Sequence, residues 1–277
     1  MGADAASTRL DPALSGVPET MLWPLWNRAC EARRPDSLID DPWSIDLVEA
    51  LDYDFEASFG EPSVFHAIRS RVCDDLIRRH EREAGDAARV ISLGEGVDST
   101  RLRTGFPVDR WTSVDLPEAL ALRAQLVPGA AEEARFPISA LDHGWVKAQA
   151  PGPVFIAALG LLMYFTRDEV VGLLTAIASR LPGAELFFDT IPPFFSRRTL
   201  EGFAVTPTYE APPMPWGISV AEVGAFCRSL GFEVLRVQTY ADPYPRRTPM
   251  FKLLGLIPGL RRKLAGGLVH VRVAGSA

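Results

Sequence analysis

The sequence has little cysteine and no block of like charge, and both shortages narrow what the chain can be. Cys30, Cys73 and Cys227 are odd in number, far apart and without a Cys-x-x-Cys pair. That excludes a disulfide framework and a cysteine zinc site, implies no metal, and fits a reducing, cytoplasmic setting. The 29 Lys and Arg and 35 Asp and Glu leave a net charge of −6 that is spread along the chain. Nucleic acid and anionic membranes need clustered basic residues, so neither is an expected partner. The longest apolar stretch, Val154 to Phe165, falls short of the about 20 residues that a membrane-spanning helix needs. The opening Met1-Gly2-Ala3-Asp4-Ala5-Ala6 has acid where a secretory signal has basic charge, and Ala6 stands where a myristoylation site has Ser or Thr, so neither export nor an anchor is expected. Repeats and low-complexity tracts are missing as well. What is there, 277 residues with 47% hydrophobic and 23% charged, suits one large globular domain acting on a small molecule.

The hydrophobic rhythm changes near residue 87. Before it the pattern is helical: Asp41-Pro42 reads as an N-cap with proline at the first helical position, and Val64, Ile68, Val72 and Leu76 recur every four residues in a helix reaching about His80. After it, seven short runs read as strands: 89–93, 111–114, 136–139, 154–158, 186–189, 232–237 and 268–273. Helical stretches lie between them. Two open on a capping box, Thr166-Arg167-Asp168-Glu169 and Ser219-Val220-Ala221-Glu222. Strands alternating with helices predict a doubly wound α/β sheet buried on both faces, with ligands at the carboxyl ends of the strands.

The first strand ends in Leu93-Gly94-Glu95-Gly96-Val97-Asp98-Ser99-Thr100, and the second in Asp115. The glycines would let a ligand approach the backbone, and an acid about 20 residues beyond them suits a ribose. A dinucleotide fingerprint would need a third glycine where Ser99 stands, and Asp98 would repel phosphates. That favours S-adenosylmethionine, which has adenosine and no phosphate, over NAD.

Taken together, 90–100, Trp111–Pro117, Ser139-Ala140-Leu141-Asp142 before Trp145, Gly160–Phe165 and Pro182–Pro192 resemble the leucine carboxyl methyltransferase superfamily, in its tetracenomycin polyketide O-methyltransferase-like branch. Arg28-Ala29-Cys30-Glu31, Asp40-Asp41-Pro42, Tyr209 and Ala211–Gly217 extend the likeness over roughly Leu22 to Gly217. The resemblance implies a class I methyltransferase fold: a Rossmann-like seven-stranded sheet with its last strand antiparallel. It also implies one domain over 1–277, with a helical lid over 1–87, an α/β core over 88–277 and a substrate loop over 191–217. It would place Gly94, Glu95 and Gly96 beside the methionine part of S-adenosylmethionine, Asp115 and Leu116 at its ribose, Ser139, Ala140 and Leu141 around its adenine, and Arg71 on its carboxylate. Arg71 is preferred to Arg69 because it lies three residues after Ile68 and seven after Val64.

One departure stands out. Where the family reads Ala-Glu-Gly, this chain reads Ala158-Leu159-Gly160, so an apolar side chain replaces a carboxylate beside both cofactor and acceptor. Glu95 is a candidate to compensate. Trp23 and Trp26, with Tyr164, Phe194, Phe195, Tyr209, Met214 and Trp216, are the candidate acceptor walls, and Tyr164, Asp189 and His66 the candidate catalytic groups. The expected activity is O-methylation of a hydroxyl or carboxyl on a small aromatic or polyketide-like molecule. The alternative is a family member that has lost methyl transfer and binds or rearranges a small-molecule natural product.

Overall fold

The computed structural model describes residues 9–248 and 259–275; the opening residues, where no export signal is expected, lie outside them. Nine strands are present there: β1 (Arg89–Leu93), β2 (Trp111–Asp115), β3 (Ala134–Pro137), β4 (Val154–Ala158), β5 (Glu185–Thr190), β6 (Phe203–Thr206), β7 (Tyr209–Ala211), β8 (Phe232–Thr239) and β9 (Gly267–Val273). Seven form one sheet in the order β3-β2-β1-β4-β5-β9-β8. Strands β1 to β5 are parallel, and β9 runs antiparallel to both β5 and β8. This is the doubly wound sheet, last strand antiparallel, that the sequence leads one to expect.

Its central strands β1, β4 and β5 are buried along nearly their whole length because each feeds two cores. Ile91, Leu93, Ile156, Ala158, Leu186 and Phe188 point to one face, under α8 (Arg167–Arg180) and α10 (Val223–Ser229). Val90, Phe155, Ala157 and Phe187 point to the other, against α4 (Val64–Ala84). A strand with water on one side would alternate; these have none. The helices α1 (Leu22–Ala32), α2 (Pro42–Ala50) and α3 (Phe55–Phe59) form a separate cluster, in which Leu22, Leu25, Leu47 and Phe59 pack on Val97, Leu122 and Tyr209.

Local signals act where their partners are in reach. Asp41 accepts from Ser44 N at 3.1 Å and caps α2, and Thr166 and Glu169 complete the capping box of α8. The second expected box does not form. The Ser219 hydroxyl donates to the Glu222 carboxylate at 2.6 Å, a tight turn takes its place, and α10 begins only at Val223. Strand β3 starts two residues earlier than expected and ends at Pro137, so Ser139–Leu141 form a turn after it. The segment 191–217, expected as a loop, holds α9 (Pro193–Leu200) and the β6–β7 hairpin.

Candidate active site

Strand order reverses between β1 and β4, and there the carboxyl ends of β1, β2, β4 and β5 open into a cavity of about 500 Å³. The glycine loop forms its floor. Gly94 and Gly96 have φ of +60° and +51°, and a Cβ on either would meet Leu161 at 2.6 Å or Met21 at 2.8 Å, so both positions need glycine. Asp115 closes the loop from the end of β2: its two carboxylate oxygens accept from Gly96 N and Leu116 N, each at 2.8 Å. Burial, only partly offset by those two bonds, holds its carboxyl above the usual range.

Under the loop lies a buried ionic network. Arg103 donates to Asp74 at 2.8 Å, to Asp41 at 3.0 Å and to Ser99 at 2.8 Å. Arg28 meets Asp98 at 2.8 Å and Asp41 at 3.3 Å. Burial disfavours the ionised form of Asp98, but Arg28 and Arg103, with bonds from Thr100, outweigh it and hold the carboxyl well below the usual range. Asp98 therefore borders the cavity as half of an ion pair, its charge balanced from within the protein.

A second network holds Glu95. Its carboxylate lies on Arg123 at 3.1 Å and on the Trp111 indole at 3.2 Å, and it also accepts from Ser113. Burial is the largest effect on it and pushes its pKa up. Glu95 borders the cavity, yet its charge-bearing end is committed elsewhere, so it does not replace the carboxylate that Leu159 lacks.

At the end of β5, Asp189 accepts from Arg69 at 2.9 Å, from the Tyr240 hydroxyl at 2.6 Å and from Gly160 N at 2.6 Å. Three donors occupy its two oxygens. Arg69, not Arg71, is the arginine of α4 that lines the cavity. Arg71 has its side chain 42% exposed and paired with Asp75 at 3.0 Å. The reason is the face: the fully buried residues of α4 include Ala67, Ser70, Cys73, Asp74 and Ile77, which flank Arg69, whereas the four-residue apolar row suggested otherwise.

The remaining candidates divide. Leu116, Ser139, Ala140 and Leu159 line the cavity, as do His66, Trp23, Tyr164, Phe194, Phe195 and Met214. Leu141 packs into the core instead. Trp26 stacks on Phe55 at 5.8 Å and donates to Gly60 O. Tyr209 stands edge-on to Phe59 at 4.9 Å, and Trp216 packs between Phe188 and Phe226. These four join segments together and do not face the cavity. Arg28 and Tyr240 do face it and were not foreseen. Arg28 had a signal, an arginine on the same helical side as Leu25 and Ala29; Tyr240 had none.

Residues 22–178, more than half of the chain, match the leucine carboxyl methyltransferase family. The chain belongs to that family. This methyltransferase is 28% identical over 188 residues, 66% of its own length and 69% of the relative's, to the tetracenomycin polyketide synthesis O-methyltransferase TcmP of Streptomyces glaucescens. It is 30% identical over 185 residues to the S-adenosyl-L-methionine-dependent methyltransferase dpfgK of Gibberella zeae, covering 60% of this chain and 62% of that one. It is also 30% identical over 210 residues to a putative S-adenosyl-L-methionine-dependent methyltransferase of Frankia alni, covering 67% and 72%. Among solved structures, mycolic acid cyclopropane synthase CmaA1, complexed with SAH and CTAB, superposes with a TM-score of 0.50 at 15% identity over 94% of this methyltransferase and 99% of that chain. A possible exported protein from Bordetella parapertussis gives 0.51 at 15% identity over 93% and 95%. At that identity the likeness concerns the fold. No helix among the described residues is long and apolar enough to cross a membrane.

Proposed function

We propose that the chain is an S-adenosylmethionine-dependent O-methyltransferase acting on a small aromatic or polyketide-like molecule whose acceptor is a carboxyl or an acidic hydroxyl. The observation that carries this reading is the two-sided cavity: a glycine loop with Asp115 on one side and an apolar wall of Trp23, Met163, Phe195 and Met214 on the other. The residues present fit the cofactor. Arg28 and Arg69 line the cavity and bring positive charge to it, and each keeps one buried N–H, on NH2 and Nε respectively, with no protein partner. The open glycines leave room at the strand end, and Asp115 has lone pairs to spare for ribose hydroxyls. When bound, the cofactor supplies an electrophilic methyl group on a sulfonium. The chain's own part is to align the acceptor oxygen with that methyl and exclude water.

Of the carboxylates that line the cavity, Glu95, Asp98 and Asp189 are committed to protein partners and Asp115 is taken, in this reading, by the ribose, which leaves none to act as a base. The acceptor must therefore reach the site able to ionise without help, which favours a carboxylic acid or an acidic phenol over an ordinary alcohol. Names of relatives support the same reading, since TcmP is called a polyketide O-methyltransferase. Leu159 favours a second reading, a protein that keeps the cavity and no longer transfers methyl. Calorimetry with S-adenosylmethionine, followed by transfer of its labelled methyl to a panel of aromatic acids and phenols, separates the two. Binding with label in the extracted product is expected. Binding with no label transferred would select the second reading, and no binding would sink the first.

A further inference from the structure

We propose that His66 selects the acceptor as a fixed hydrogen-bond donor: its Nε2–H takes a carbonyl or ionised oxygen of the substrate, and it does not serve as the base. The proposal rests on the methyl-transfer reading for its substrate and on three side chains for its chemistry. His66 lies on α4 and lines the cavity, and its Nδ1 is 2.5 Å from the Nδ2 of Asn27 on α1. The other end of that amide is identified by its partner. Asn27 Oδ1 accepts from the backbone N–H of Ser63 at 2.8 Å, and a backbone N–H can only donate. The atom facing His66 is therefore an amide nitrogen, also a donor, and Nδ1 must offer it a lone pair. A neutral imidazole then carries its proton on Nε2. That nitrogen has no protein partner among the described residues and is not sealed away, so it is left to the cavity.

The opposite tautomer would set an Nδ1–H against the amide N–H at the same 2.5 Å, two donors head-on. Turning the amide over only moves the conflict to Ser63. The lock thus spans two helices, with Ser63, the N-cap residue of α4, as its fixed point. The groups round the ring are Trp23, Asn27 and Arg28 from α1, Arg69 from its own helix and Asp98 from the glycine loop. Burial is the main influence on the imidazole; with the charges of Arg69 and Arg28, and against the pull of Asp98, it lowers the pKa well below the ordinary value. The ring stays neutral and the donor stays in place. Asn27 acts through His66 and is a positioning residue.

The tautomer can be read without any methyl transfer. The full chain labelled with 15N-histidine, with His66→Gln used to assign the ring among the four histidines, should show Nε2 protonated and Nδ1 bare from pH 5.5 to 8. A proton on Nδ1, or a charged ring at pH 6.5, would overturn the proposal. Asn27→Asp, which presents an oxygen to Nδ1 as well as to Ser63, should move the proton to Nδ1 and raise the pKa. With any aromatic acid or phenol that takes label, His66→Phe should raise KM about tenfold, while His66→Gln, which keeps an N–H to donate, should stay within about threefold. S-adenosylhomocysteine affinity should change less than twofold in both. The wild-type pH profile should lack a histidine limb that Asn27→Asp acquires. Equal losses in His66→Phe and His66→Gln would refute the donor role. A chain that transfers no label would count against the methyl-transfer reading, and the spectra would still decide the state of His66.

Discussion

Beneath the glycine loop, two guanidiniums and three carboxylates (Arg28, Arg103, Asp41, Asp74 and Asp98) meet in a buried cluster, whereas the wall across the cavity is made of Trp23, Met163, Phe195 and Met214 touching through carbon and sulfur. The floor is bound residue to residue, so no one member can change alone without leaving a buried charge or donor unmatched. The wall is bound by area and volume, which degrade gradually. The difference separates two tasks. The part of the cavity suited to a constant cofactor is over-determined, and the part suited to a variable acceptor is free to drift.

The sharpest way to break this contrast is Arg103→Met. It removes the partner shared by Asp41, Asp74 and Asp98. A loss of about 3–5 kcal/mol is expected in denaturant unfolding, since breaking a buried pair leaves uncompensated charge. A loss below about 1 kcal/mol would mean that the network is not the keystone of the floor. The same network should show a pH signature. Asp98 has a folded pKa below its unfolded value, so its stabilisation is present above the ordinary carboxylate pKa of about 3.9 and is lost as pH falls through the folded value. The cost of Asp98→Asn should therefore be full at pH 7, begin to shrink below about pH 4, and vanish only well below the usual carboxylate range. Asp74, whose pKa burial raises, titrates with the opposite sign and reduces the net slope.

Next in size is Gly96→Ala. Its φ of +51° and the Met21 Cβ at 2.8 Å combine a backbone cost with a contact that no rotamer change relieves. A cost of about 1–2 kcal/mol and at least a tenfold loss of S-adenosylmethionine affinity are expected. The equivalent strain at Gly94 falls on the far end of Leu161, a side chain that can swing aside, so Gly94→Ala should unfold less readily than Gly96→Ala.

The two regions were also unequally legible in the sequence. Val154–Ala158 reads as a strand because its two faces feed two cores, and Asp41-Pro42 reads as a helix start because cap and recipient lie three residues apart. The glycine loop and Asp115 are visible for the same reason: each is a local requirement of backbone or strand end. The ionic floor is not local. Arg103 meets Asp41 across 62 residues and Asp74 across 29, and nothing in the spacing pairs them. Helical spacing misled for Arg71 because the buried face of α4 carries small and polar residues, Ser70 and Asp74 among them, between its large apolar ones Ile68 and Ile77. The prolines of 191–217 concealed α9, where Pro193 takes the first helical position and starts the helix.

Leu159→Glu asks whether the floor still wants the carboxylate the family places there. The side chain lines the cavity next to Gly160, the residue against which the Arg69 guanidinium lies. S-adenosylmethionine carries one more positive charge than S-adenosylhomocysteine, so a restored carboxylate should tighten the first by about three- to tenfold and the second by less. Equal tightening of both would show that the gain comes from packing or from the ammonium alone, and not from charge at the sulfur.

The smallest effect belongs to the wall. Met214 is buried against Met163 and Phe195, with its backbone held by Ser196 and Thr199 and its side chain bound only by contact. Met214→Leu nearly conserves volume, so stability should fall by less than about 1.5 kcal/mol and cofactor affinity should hold within twofold. What should move is the ranking of acceptors in the labelled-methyl panel, because leucine is branched and stiffer where methionine is linear and adaptable. If the ranking stays fixed while cofactor affinity changes, the division of the cavity into a rigid floor and an adaptable wall is drawn in the wrong place.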